Sequence, residues 1–160
     1  MAYGRYLLMV ATSTVVMFVL MYFNTFSADH VRFSQTRMWM ALVMGAAMAA
    51  IMLGFMWSMY RDRRRNATIL VASALVFAVS LWLVRSQSTV DDVGYMKAMI
   101  PHHSIAIMTS ERARIRDPRV RRLADGIIAT QRREIAEMDA LIRDIEANGV
   151  QHGTEAAPGR

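Results

Sequence analysis

Charged side chains are missing from three long stretches of this chain, residues 6–23, 38–60 and 67–84. Each is close to the roughly 20 residues that a helix needs to cross the hydrocarbon core of a bilayer. A helix of a soluble core normally keeps a polar stripe, and these runs have none. They are also too long and too uniform to be central strands. Cysteine is absent altogether, which fits an oxidising compartment and removes the cysteine nucleophile from consideration. No nucleotide-binding loop, zinc-protease signature or Glu-x-x-His pair occurs, and no serine stands with an evident base. The expectation is a protein that is not an enzyme.

Acidic residues are scarce in the first half. Residues 1–87 hold eight Arg against only Asp29 and Asp62, whereas residues 88–160 are balanced, so the net charge of +6 belongs to the first half. The excess flanks the apolar runs, where anionic headgroups and the insertion machinery account for it. The polar half has no basic excess to meet phosphates, so nucleic acid is excluded as a partner and the lipid bilayer is expected. One Arg precedes the first run, which is longer than a usual signal-peptide core and has no A-x-A site after it. It reads as a retained span.

The segment Tyr60–Asn66 carries four Arg in seven residues. Under the positive-inside rule it is cytoplasmic. The N-terminus is then cytoplasmic too, and Asn24–Arg37 and everything after Val84 lie outside. In a bacterial plasma membrane this places the polar part in the periplasm.

Methionine is abundant, 15 of 160 residues. Met40, Met44, Met48, Met52 and Met56 recur every four residues and form a ridge on a helix. Ala46, Ala50 and Gly54 form a second ridge of small residues, which lets another helix approach closely. Two readings of the Met ridge stand side by side: adaptable packing, and a ladder of thioether ligands for Cu(I). Met9, Met17 and Met21 follow a similar lattice in the first span.

Beyond Ser86–Thr89 the pattern becomes two amphipathic helices, about Val90 to Ile115 and Asp117 to Ala147. Ser88 or Thr89 is expected to cap the first, with Asp91 and Asp92 suiting its dipole. Asp117 and Pro118 open the second, and Asn148-Gly149 closes it. The resulting organisation is a three-span region (1–87), a helical hairpin (88–147) and a disordered tail (148–160). Two helices bury too little surface to be stable alone, so the antiparallel hairpin must dock on the spans or pair with a second copy. A homodimer is expected.

On the second hairpin helix Val120, Leu123, Ile127, Leu141 and Ile145 share one apolar face, with Gln131, Glu134 and Met138 in its middle. A carboxylate on a buried stripe is costly unless it is protonated, paired or metal-bound. On the first, Met96, Met99 and His103 share a face, with His102 beside them and Met108 further round. Two imidazoles and two thioethers within two turns form a soft donor set that suits copper better than magnesium or calcium. The plainer reading is a pair of satisfied interfacial histidines.

The run Met96-x-x-Met99-Ile-Pro-His102-His103 with Met108, followed by Ala129-Thr-Gln131-x-x-Glu134-Ile-Ala-Glu-Met138, resembles the bacterial domain-of-unknown-function family 305. The likeness covers about residues 88–147, and the segment from Asp29 to Leu53 resembles membrane-anchored versions of the family. It implies an all-α, ferritin-like arrangement in which a single copy supplies half of a four-helix bundle. It also implies association with copper outside the cytoplasm. The matching positions are Met96, Met99, His102, His103, Met108, Gln131, Glu134 and Met138. Ser104 departs from the acidic or Gln residue common after the His pair.

Three functions follow as expectations. The first is a membrane-anchored extracytoplasmic protein that sequesters or relays copper, Cu(I) favoured. Met96, Met99, His102 and His103 are its ligands, Met138 completes a site, and Glu134 orients an imidazole; copper-handling proteins are its partners. The second is a conduit in which His30, Met38 and Met40 bridge the His/Met cluster to the Met ridge. The third is a metal-free dimeric scaffold or sensor in which Glu134 pairs with His102 or His103 across the bundle.

Overall fold

The computed structural model describes residues 2–151, and among these every regular element is helical. Three helices, α1 (Ala2–Leu20), α2 (Gln35–Phe55) and α3 (Arg63–Ser86), are long and apolar enough to cross a membrane. A 3₁₀ turn, Ala28–His30, lies between α1 and α2. Helices α4 (Asp92–Arg112) and α5 (Pro118–Asn148) form a hairpin. Apart from residues 148–151, the expected disordered tail lies outside the described residues.

Each start after α1 has a side-chain cap that satisfies an otherwise orphaned N–H. The Ser34 hydroxyl accepts from the Arg37 N–H at 3.2 Å, and the Asp62 carboxylate accepts from Arg65 N–H at 3.1 Å. Asp117 caps α5, with Pro118 at its first position, and Gly149 closes it at φ 82°, a conformation that favours glycine. The cap of α4 is Asp91, whose carboxylate accepts from Gly94 N–H at 2.6 Å, rather than Ser88 or Thr89. Gln87, in the left-handed region at φ 51°, ends α3. A turn then joins the Val90 N–H to the Gln87 carbonyl, so Ser88 and Thr89 are spent on the connection.

Helix α2 is the centre of the trio, packing on both α1 and α3. Its buried side consists of Ala41, Gly45, Ala46, Ala49 and Leu53. The close-approach ridge is therefore 41-45-49-53, offset from the expected 46-50-54: Ala46 is buried, but Gly54 is exposed with open space around it. At Gly45 the reason is direct, because a Cβ there would collide with the Thr14 side chain of α1. Tyr6 reaches across the same interface and donates its hydroxyl to the Ala49 carbonyl.

The two ends of the trio differ. At one, Tyr3, Tyr6 and Tyr60 stack, and the fully buried Asn66 donates to the Tyr60 carbonyl and accepts from the Tyr3 hydroxyl at 2.8 Å each. The Arg cluster 61–65 lies here. At the other, the Asn24–Arg37 segment meets the hairpin. The Ser104 Oγ of α4 accepts from Phe26 N–H at 2.7 Å and lies 2.9 Å from His30 Nδ1. Arg32 pairs with Asp139 of α5 at 3.2 Å, and the Phe26 ring packs against the hairpin core of Met96, Ile100, Ile107, Ile135 and Ile142. The hairpin thus docks on the spans through the loop between α1 and α2.

Cross-hairpin pairs Lys97–Glu146, His103–Glu134 and Glu111–Arg132 run in opposite order along α4 and α5, the mark of an antiparallel pair. Helix α5 faces α4 with Ala124, Ile128, Ile135, Met138, Ile142 and Ile145. The expected face is rotated from this one: Val120, Leu123, Ile127 and Leu141 are exposed, Leu123 at 65%. Helix α5 carries apolar residues on a wider arc than one neighbour covers, and the mean direction of that arc falls between its covered and open sides.

Candidate metal site

Between α4 and α5 lies a cleft of about 560 Å³, lined by the thioethers of Met96, Met99 and Met138, with His103 and Glu134 beside them. Tyr95 and Leu141 form part of its apolar rim. Spacing on α4 explains the convergence, since 96, 99 and 103 differ by three and four and share one helical face. On α5, Glu134 and Met138 are likewise four apart.

The geometry at His103 is specific. Its side chain is 12% exposed, its Nε2 lies 2.9 Å from Glu134 Oε2, and its Nδ1 is buried with no hydrogen-bond partner. With the Nε2 proton donated to the carboxylate, Nδ1 carries an unpartnered lone pair. A buried polar atom without a partner costs about 1–3 kcal/mol. A ligating histidine has this same arrangement, one nitrogen free for the metal and the other held by a carboxylate. Gln131 donates weakly to the same Glu134 oxygen, at 3.4 Å. Glu134 itself is 41% exposed. The buried-carboxylate premise therefore does not hold within one chain, and pairing with His103 is what places Glu134.

His102 and His103 diverge. Adjacent residues on a helix point about 100° apart, and the ring centroids are 6.1 Å from each other. His102 leaves the hairpin cleft and lines a second one, between α4 and the ends of α1 and α2 that flank their connecting loop. Met99 lines both. Met108 is half-buried on α4, away from the lining of either cleft. Of the residues expected to bridge to the spans, Met40 lines the second cleft, whereas His30 is tied to Ser104.

The donor set fits a soft ion. Among the described residues no three His, Cys, Asp or Glu side chains cluster as a hard or borderline site would require. The thioethers and the free imidazole nitrogen supply what Cu(I) prefers. Nothing in the sequence marks Phe26 as a hairpin contact, His30 stands out only as a bridge in a copper conduit, and Ser104 only as a departure from a pattern. The usable signal was a small hydroxyl on the otherwise apolar inward face of an amphipathic helix.

Residues 92–159 match the family described as Domain of unknown function (DUF305). The chain is also similar to an uncharacterized protein, L153, of Acanthamoeba polyphaga mimivirus, 38% identical over 77 residues, or 47% of this chain and 51% of the relative. It thus spans about half the length of that curated relative. No solved structure matches. The region that matches the DUF305 family, residues 92–159, contains the α4–α5 hairpin and follows three apolar helices.

Proposed function

We propose that this is a membrane-anchored, extracytoplasmic copper-binding protein that sequesters or relays Cu(I) through the hairpin cleft. The observation that carries the reading is His103, whose Nε2 is held by Glu134 and whose Nδ1 is buried and unpartnered, in a cleft that Met96, Met99 and Met138 also line. In this role His103, Met96, Met99 and Met138 hold the ion, and Glu134 fixes the imidazole tautomer. The ion supplies no reaction; it is cargo, taken up by thioethers that need no deprotonation and by an imidazole that must be neutral. The donors assigned to the ion are thioethers and an imidazole, whereas calcium and magnesium require oxygen ligands. Asp92 and Glu137 also line the cleft but do not cluster with Glu134 as a metal site among the described residues.

The orientation proposed for the hairpin rests on charge. The Arg cluster and the hairpin stand at opposite ends of the apolar trio, and a dense cationic loop favours the cytoplasmic side. The hairpin then faces the periplasm of a bacterial plasma membrane, where copper-handling proteins meet it.

The open face of α5 supports a homodimer. Val120, Leu123, Ile127 and Leu141 are exposed on one side of the helix, outside the face that packs on α4. A second hairpin laid on this strip completes a four-helix bundle and covers the rim of the cleft.

A second reading uses the same pair: His103–Glu134 as a metal-free contact that fixes the register of a scaffold. Titration of the detergent-solubilised full chain with Cu(I) separates the two. The isolated hairpin is the poorer sample, because Phe26 belongs to its core. Binding tighter than about micromolar, with the equivalent held in the hairpin cleft lost in His103→Gln, is expected. Weaker binding in the wild type rejects the copper reading.

A further inference from the structure

We infer that the chain carries a second soft-metal site, in the cleft where the hairpin meets the spans, and that the adjacent histidines serve different sites with Met99 common to both. The inference rests on the copper reading of the hairpin cleft and extends it. The junction cleft, about 710 Å³, is lined by Met21 from the end of α1, Met40 from α2, and Met99 and His102 from α4. Three thioether side chains and one imidazole therefore line one cleft from three parts of the chain, and among the described residues no carboxylate does. A site without anionic oxygens discriminates against hard divalent ions, whereas neutral sulfur donors suit a monovalent soft ion.

Arg37 also lines this cleft, and a free guanidinium would repel a cation. Its guanidinium is held at the side of the cleft by two neutral partners: one N–H group donates to the Met21 carbonyl at 2.6 Å, and its carbon lies 4.6 Å from the centre of the Tyr22 ring. Both contacts draw positive charge toward a carbonyl dipole and an aromatic face.

The division of the histidines follows from helical geometry. His103 lines the hairpin cleft and His102 the junction cleft, while Met99 reaches both. An ion can therefore exchange His103, Met96 and Met138 for His102, Met40 and Met21 while Met99 stays bound. Cu(I) keeps its oxidation state, and only neutral donors change places. Transfer between hairpin and membrane surface needs no release into water.

The test uses the detergent-purified full chain and Cu(I) held reduced under anaerobic conditions, competed against a chromophoric Cu(I) chelator. Wild type should bind two equivalents per chain. Met21→Leu with Met40→Leu, a volume-conserving change in apolar helices, should remove one and leave the affinity of the other unchanged. His102→Gln, at an exposed position, should do the same and covers the case in which the double variant misfolds. His103→Gln should remove the other equivalent, and Met99→Leu should weaken both. A single equivalent in wild type, indifferent to Met21, Met40 and His102 but lost in His103→Gln, overturns the second site alone. No binding at all overturns the hairpin site as well.

Discussion

The Oγ of Ser104, fully buried on α4, stands 2.7 Å from the backbone nitrogen of Phe26 in the loop between α1 and α2. One small hydroxyl joins the hairpin to the membrane part, and the Phe26 ring beside it enters the hairpin core. His30 receives the other side of the same hydroxyl. The α1–α2 loop is therefore structural, and it fixes where the two clefts lie relative to the spans.

Ser104→Ala strands the Phe26 N–H and should destabilise hairpin docking by about 1–3 kcal/mol. Hydrogen exchange of the intact protein in detergent should show protection falling at residues 26–30 and along α4, with the three apolar helices unaffected. Unchanged protection at Phe26 would contradict this role.

Gly45 and Gly54 should behave oppositely. Gly45→Ala drives a Cβ into Thr14 and should loosen the α1–α2 interface at a cost of about 1–3 kcal/mol. Gly54→Ala meets open space and gains helix propensity, so it should be neutral or slightly stabilising. Unfolding of each variant in a denaturing detergent series reads the contrast directly.

Leu123→Glu with Ile127→Glu alters only exposed positions. It should leave the fold of one chain intact and convert a dimer to a monomer, read as mass by light scattering in mild detergent. A wild-type monomer under the same conditions would remove the dimer from the account.

Asp117 predicts the acid limb of hairpin stability. Side-chain hydrogen bonds from Arg119 hold its carboxyl below the ordinary carboxylate range, and backbone N–H groups act in the same direction. A depressed folded-state value means that the contribution is present above the unfolded value and is lost as pH falls through the folded one. Asp117→Asn keeps the cap but loses the charge, so its stability should vary less with pH in that acidic window. Equal acid sensitivity in the two proteins would show that Asp117 is not a source of it.

Much of the fold was readable because its causes are local. Uncharged runs located the three apolar helices, and Asp117-Pro118 and Asn148-Gly149 marked the limits of α5. The rotational setting of α2 was only partly readable, because small residues form two ridges, Ala41-Gly45-Ala49 and Ala46-Ala50-Gly54, and composition does not say which of them meets a neighbour. Gly45 could be told from Gly54 only with Thr14 in view. The site was legible in part: the 96-99-103 spacing and the 134-138 spacing each named one wall of the hairpin cleft. That His102 belongs to a different cleft depends on where α1 and α2 end. That Ser104 is a docking residue depends on Phe26, 78 residues away in sequence.

The central claim is that His103 and its methionines hold Cu(I). Copper K-edge X-ray absorption on the full chain loaded with one equivalent of Cu(I) tests it most directly. The account predicts a sphere dominated by sulfur with imidazole nitrogen, in which His103→Gln alters the nitrogen contribution and Glu134→Gln lowers affinity about 10–100-fold. A sphere of oxygen and nitrogen alone, or copper that washes off the wild type, would contradict it.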